Sequence, residues 1–171
     1  MQRALAKPRS KKPASREVLP RKPLSGGAVT SGIGVVRFCV HGPSGKASFP
    51  PARLIEALRI GLPFRELDDL QAALALPMEK LVPMLGISKA TLHRRKAEGR
   101  LDPAESDRVV RLARLMGKAV DVMESEEQAR QWLVAPQFGL GGAVPLEFAE
   151  TEVGAREVED LLGRIEHGVY S

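Results

Sequence analysis

The apolar positions of this chain fall into three regimes. Over residues 1–30 they are sparse among Lys, Arg, Pro, Ser, Gly and Ala. Such a segment cannot bury enough surface to offset its ordering entropy, so it is expected to be disordered. Over 33–40 they are dense and β-branched (IGVVRFCV), which predicts a strand. His41-Gly42-Pro43-Ser44-Gly45 is turn chemistry and Lys46 to Phe49 could pair back, so a short β-hairpin over 33–49 is the strand structure the pattern allows. From Ala52 onward the apolar period becomes three to four residues, which is helical.

In that helical part, Leu54, Ile55, Leu58 and Ile60 outline a short helix ending near Gly61. Phe64, Leu67, Leu70, Ala73 and Leu74 outline a second after Pro63, and Pro77 opens a third with Leu81, Val82 and Leu85 apolar. A fourth runs from Ser88 to about Gly99. Asp102-Pro103-Ala104-Glu105 combines a capping carboxylate, a proline at the first helical position and an acidic residue near the positive end of the dipole. It opens a helix with Val109, Leu112, Ala113, Met116, Val120 and Met123 on one stripe. Ser125-Glu126-Glu127-Gln128 reads as a capping box before Ala129, Trp132 and Leu133, in a helix that stops ahead of Pro136. Pro145 starts a short turn, and Thr151 caps a last helix with Val158, Leu161, Leu162 and Ile165 on its apolar face. Gly168 stands where a helix C′ residue belongs. The expected class is all-α: a basic extension over 1–50, a helical domain over 51–123 and a C-terminal module over 124–171.

Met78 to Lys96 (MEKLVPMLGISKATLHRRK) has the layout of a helix-turn-helix. Gly86 permits the tight turn, Ser88 caps the second helix and Leu92 faces inward. Pro83 should shorten or kink the first helix of the pair. The candidate DNA-binding residues are Ser88, Lys89, Thr91, His93, Arg94, Arg95, Lys96 and Arg100. Lys89 and Arg94 could read guanine edges, while Arg95, Lys96 and Arg100 suit phosphates.

Charge sharpens this division. Residues 1–50 carry ten Lys/Arg and one Glu. Residues 88–118 carry nine basic and four acidic side chains, a net of +5 that suits phosphate. Residues 119–171 carry three basic and eleven acidic ones, a net of −8 that suits a cationic partner. Composition also excludes classes. One cysteine, Cys39, makes no disulfide framework and fits a reducing compartment. No apolar run of about 18 residues predicts a transmembrane helix, and the basic N-terminus lacks the apolar stretch of a secretory signal, so a cytoplasmic protein is expected. His41, His93 and His167 stand in three unrelated segments, with no metal-ligand spacing and no nucleophile–base pair. Gly139-Leu140-Gly141-Gly142 follows no strand and is not a phosphate loop. Neither catalysis nor a cofactor is expected.

Three segments carry a resemblance: GISKATLHRRKAEGRLDPAESDRVVRLARL (Gly86–Leu115), EEQARQWLVAPQFGLGGAVPLEF (Glu126–Phe148) and TEVGAREVEDLLGRIEHGVYS (Thr151–Ser171). They resemble the Xre/MbcA/ParS antitoxins of type II toxin–antitoxin modules, partners of RES-domain toxins. The resemblance implies an Xre-like DNA-binding domain, a toxin-binding C-terminal part and a homodimer within a larger complex that represses its own operon at operator double-stranded DNA. RES-domain toxins are similar to ADP-ribosyltransferases and act on NAD. On this resemblance Gly168, Val169, Tyr170 and Ser171 would reach toward the toxin cleft, with Arg164, Glu166, Leu140, Gly141, Gly142 and Pro145 nearby. A stand-alone repressor, whose C-terminal module serves dimerisation or effector binding, is the competing reading.

Overall fold

Four of the helices start where a capping side chain stands. A computed structural model describes residues 34–42 and 50–169. The disorder expected over 1–30, the return strand over 46–49, and Tyr170 and Ser171 lie outside the described residues. In chain order the helices are α1 (Val35–His41), α2 (Pro51–Ile60), α3 (Arg65–Leu74), α4 (Met78–Met84), α5 (Lys89–Glu98), α6 (Pro103–Met123), α7 (Glu126–Val134), α8 (Pro145–Phe148) and α9 (Glu152–Glu166), with a 3-10 turn at Phe138–Leu140. Ser88, Ser125 and Thr151 each accept the backbone N–H three residues on, at 3.1, 3.4 and 3.1 Å. Asp102 and Glu105 form a reciprocal capping box, each carboxylate accepting the other's N–H at 2.8 Å. Pro83 lies inside α4, which is only seven residues long, as a mid-helix proline predicts.

One helix organises the rest. The 21-residue α6 packs against α1, α2, α3, α7 and α9, and α8 bridges α7 to α9. Its Val109, Leu112, Ala113, Leu115, Met116 and Ala119 are buried in one core with Leu67, Leu70 and Leu74 of α3 and Leu133, Leu146, Val158 and Leu162 of the C-terminal part. Each such leucine contributes about 2 kcal/mol by leaving water. By contrast α2 buries no residue fully, and Ile55 and Ile60 of its predicted stripe are exposed.

The strand expected over 33–40 is not there: Val35–His41 is helix α1, with Val35, Val36 and Val40 buried. Gly34, the described residue ahead of it, supplies no side-chain cap. Its cap comes from α3, where the buried Glu66 carboxylate accepts the N–H groups of Val35 at 3.2 Å and Val36 at 2.9 Å. That carboxylate also sits in the first turn of its own helix, so it faces the positive ends of two helix dipoles. α1 then lies so close to α6 that a Cβ at Gly117 would overlap the Cys39 carbonyl. Glu66→Ala is expected to cost about 1–2 kcal/mol by orphaning both N–H groups. Hydrogen exchange read by mass spectrometry should show α1 losing protection before the core does; unchanged protection would refute the remote cap.

Candidate functional site

The helix-turn-helix is α4 and α5, joined through Leu85-Gly86-Ile87 with Gly86 at φ +62°. Leu85 and Ile87 are buried beneath the turn. α6 clamps both ends of α5. At the turn, the Arg108 guanidinium donates to the Leu85 carbonyl at 2.8 Å and lies over Gly86. At the far end, Arg95 points inward and meets Asp102 at 2.7 Å, Glu105 at 2.8 Å and Glu98 at 2.9 Å. Hydrogen bonds to Glu105 and then Glu98 hold the Arg95 guanidinium above its ordinary pKa. Partial burial pushes the Asp102 carboxyl up, but the N–H groups of Glu105 and Ala104 and the Arg95 charge outweigh it and leave it below the usual range. Ser106 completes the clamp, accepting from Leu62 N–H at 2.8 Å and donating to the Asp102 carbonyl at 2.6 Å.

These contacts sort the sequence-derived DNA set. Lys89, His93, Arg94 and Lys96 are exposed, and Lys89, His93 and Lys96 share one face at helical spacing. Arg94 has only a loose pairing with Glu98 at 3.8 Å. Arg95, expected outside as a phosphate contact, is turned inward because it lies three residues after the inward Leu92 and finds three carboxylates there. Arg100 is exposed, but one guanidinium nitrogen donates to the Gly61 carbonyl. Ser88 and Thr91 hydrogen-bond each other at 2.9 Å, so part of their capacity is used at the cap.

In the C-terminal part a tight turn follows α7. Gln137 and Ala143 form an antiparallel bridge, and the Gln137 side chain donates to the carbonyls of Trp132 and Ala135 at 2.9 and 3.0 Å. Gly141 and Gly142 are exposed at φ +67° and +87°, Leu140 packs on the core, and Phe138 is wholly exposed. Pro145 is buried as the first residue of α8, so it holds the turn in place and presents no surface. The turn rests on α9 at Leu161, against Gly139. Gly168 lies seven residues further on, about 10 Å along a helix, so turn and terminus are separate features of one face.

The end of α9 is a complete Schellman motif: Gly168, at φ +66°, donates to Ile165 at 3.1 Å and Val169 to Arg164 at 2.9 Å. Val169 is half-exposed, Arg164 half-buried and Glu166 exposed. On α6, Arg111 pairs with Glu152 at 3.2 Å and donates to the Glu150 carbonyl at 3.0 Å, while Arg114 pairs with Glu159 at 3.2 Å, tying α9 down.

Two family descriptions match in succession. An antitoxin Xre-like helix-turn-helix domain matches residues 53–114, and an antitoxin Xre/MbcA/ParS C-terminal toxin-binding domain matches residues 118–168. An antitoxin Xre of Yersinia enterocolitica is 37% identical over 120 residues, covering 69% of this chain and 81% of that protein. The chain belongs to the Xre family of antitoxins. An antitoxin Xre of Photorhabdus laumondii is 35% identical over 116 residues, covering 67% of this chain and 78% of its own length. A Sphingobium protein named Prs ADP-ribosylating antitoxin is 27% identical over 131 residues, covering 71% and 82%.

As an Xre antitoxin the chain is part of a toxin–antitoxin system, with a helix-turn-helix ahead of a toxin-binding domain. No helix among the described residues is long and apolar enough to cross a membrane. None of the described His, Cys, Asp and Glu residues form a group of three that could hold a metal. Burial pushes the Cys39 thiol up; Arg114 opposes that shift and Glu66 adds to it. The sequence reading passed over Arg108 and Phe138. For Arg108 the signal lay in the turn, since a positive-φ glycine leaves a carbonyl in need of a donor. For Phe138 the signal was an aromatic between Pro136 and Gly139, where turn chemistry leaves little to bury it.

Proposed function

We propose that this antitoxin neutralises a RES-domain toxin acting on NAD by covering its active site with the C-terminal end, and that as a homodimer it binds operator DNA to repress its own operon. It acts as a non-enzymatic regulator in the cytoplasm. The observation that carries the reading is the end of α9. The Schellman motif fixes the direction in which the chain leaves the helix, and Val169 emerges half-exposed with the aromatic Tyr170 next in sequence. The acidic surplus of residues 119–171 suits a pocket built to hold the phosphates of a dinucleotide. The name of the Sphingobium relative favours ADP-ribose chemistry in such a pair. The exposed Ile55 and Ile60 of α2 offer apolar surface to a second copy.

Purified neighbouring-gene product, assayed for NAD consumption with and without this chain, tests the first half: inhibition near one equivalent is expected. Unchanged NAD consumption with no complex formed would instead favour a stand-alone repressor. For the second half, Lys89→Ala with Arg94→Ala is expected to weaken operator binding roughly 100-fold and to flatten its salt slope by about two charges. Fluorescence anisotropy at several salt concentrations measures both; an unchanged titration would take these side chains off the DNA.

A further inference from the structure

Among the described residues, one large apolar side chain has no cover of any kind. Phe138 is 100% exposed, whereas the other exposed large apolar residues range from 39% to 73%. A fully wetted phenyl ring adds little to folding and gains free energy only where something covers it. It does not stand on a loose loop. Gly141 N–H donates to the Phe138 carbonyl at 2.9 Å, Gly142 N–H to the Gln137 carbonyl at 2.9 Å, and Gln137 N–H to the Ala143 carbonyl at 3.0 Å. Leu140 on the core and Gly139 on Leu161 hold the base of the turn. A ring held out this way loses little freedom on binding, which is how preorganised anchors gain affinity.

The module that carries Phe138 indicates the occupant. Phe138 lies inside the segment matched to the toxin-binding domain. Glu147, Glu150, Glu157, Asp160 and Glu166 of α8, α9 and the joining turn have carboxylates without an ion-pair partner among the described residues. Against them α9 sets Arg164 alone outside an ion pair. An apolar ring carried by a module with this acidic surplus fits a protein pocket that is apolar at its floor and cationic at its rim.

We propose that Phe138 is a recognition anchor, inserted into an apolar, cation-rimmed pocket of the toxin at a point separate from the cleft that receives the C-terminal end. This rests on the toxin-neutralising reading above and adds a second, remote contact that sets affinity and partner choice. One interface thus has two jobs: the terminus inhibits and Phe138 holds.

The test is isothermal titration of the full chain, wild type, Phe138→Ala and Phe138→Leu, against purified product of the neighbouring gene. Phe138→Ala should weaken binding about 100-fold, with Phe138→Leu in between. Melting temperature and operator binding should stay at wild-type values, since the ring touches nothing in the free chain. Inhibition by Phe138→Ala should be recovered at high concentration, which loss of the inhibitory terminus would not allow. Unchanged affinity in Phe138→Ala, beside a wild type that binds and inhibits, overturns the anchor and leaves the neutralising reading standing. A wild type that does not bind the neighbour overturns both. Sedimentation of the antitoxin alone closes the remaining case: if Phe138→Ala dissociates a dimer, the ring faces a second copy and the proposal fails.

Discussion

A chain ending at Gly168 is expected to fold, to bind operator DNA and to bind the toxin, yet to leave the toxin active. The reasoning starts from the end of α9. Gly168 closes the helix with its own N–H donated to Ile165, so that part of the motif survives the loss of Val169–Ser171; only the Val169 bond to Arg164 goes. One exposed hydrogen bond at a helix terminus is worth about 1 kcal/mol or less, and Val169 buries little. Stability should therefore hold. What is removed is the stretch that follows the Schellman motif. If it occupies the toxin's cleft, NAD consumption in the presence of saturating truncated antitoxin should match that of free toxin. Co-purification should persist through the rest of the interface. Growth rescue by the truncated chain equal to that by the full chain would refute the terminal plug.

The second large effect is expected at Gly154, in the first turn of α9. A Cβ there would penetrate the carbonyl oxygen of Phe148 and press on the Thr151 hydroxyl that caps the helix. Phe148 belongs to α8, so the obstruction is backbone and cannot swing aside as a side chain would. Gly154→Ala should cost about 3 kcal/mol through overpacking, a fall in melting temperature of roughly 9 °C for a chain of this size. α8 and α9 should separate, moving both the turn and the terminus, so toxin binding should fail at temperatures where α5 still binds DNA. A thermal melt within about 1 °C of wild type would show that the α8–α9 approach is looser than described.

Much of the fold was legible because capping residues stand next to the helices they start: Ser88, Asp102, Ser125 and Thr151 each appear in sequence where the structure uses them. α1 was not legible for the converse reason. Its Val35, Val36 and Val40 look like a strand, and its cap is Glu66, thirty residues away on another helix, so no local window contains the signal. Arg95 was misplaced by composition: within a basic run it looked like surface, yet the spacing from Leu92 already turned it inward. The Glu105-Ser106-Asp107-Arg108 segment marked the family without showing its purpose. In the structure Glu105, Ser106 and Arg108 are the groups that fasten α5 and the chain before α3 to α6. Such roles depend on partners far apart in the chain, and periodicity does not see them.

The central position of α6 limits how this antitoxin can change over evolutionary time. Ten of its 21 residues are buried, among them Glu105, Ser106 and Gly117. The residues that would choose an operator stand on α5, and those that would choose a toxin stand on the α7–α8 turn and at the end of α9. Either set can drift to follow a new DNA site or a new toxin without disturbing the other. α6 has no such freedom, because any substitution that suits one module is also imposed on its neighbour. Diversification in a lineage built this way should therefore accumulate at the two ends of the fold while the helix between them stays nearly fixed.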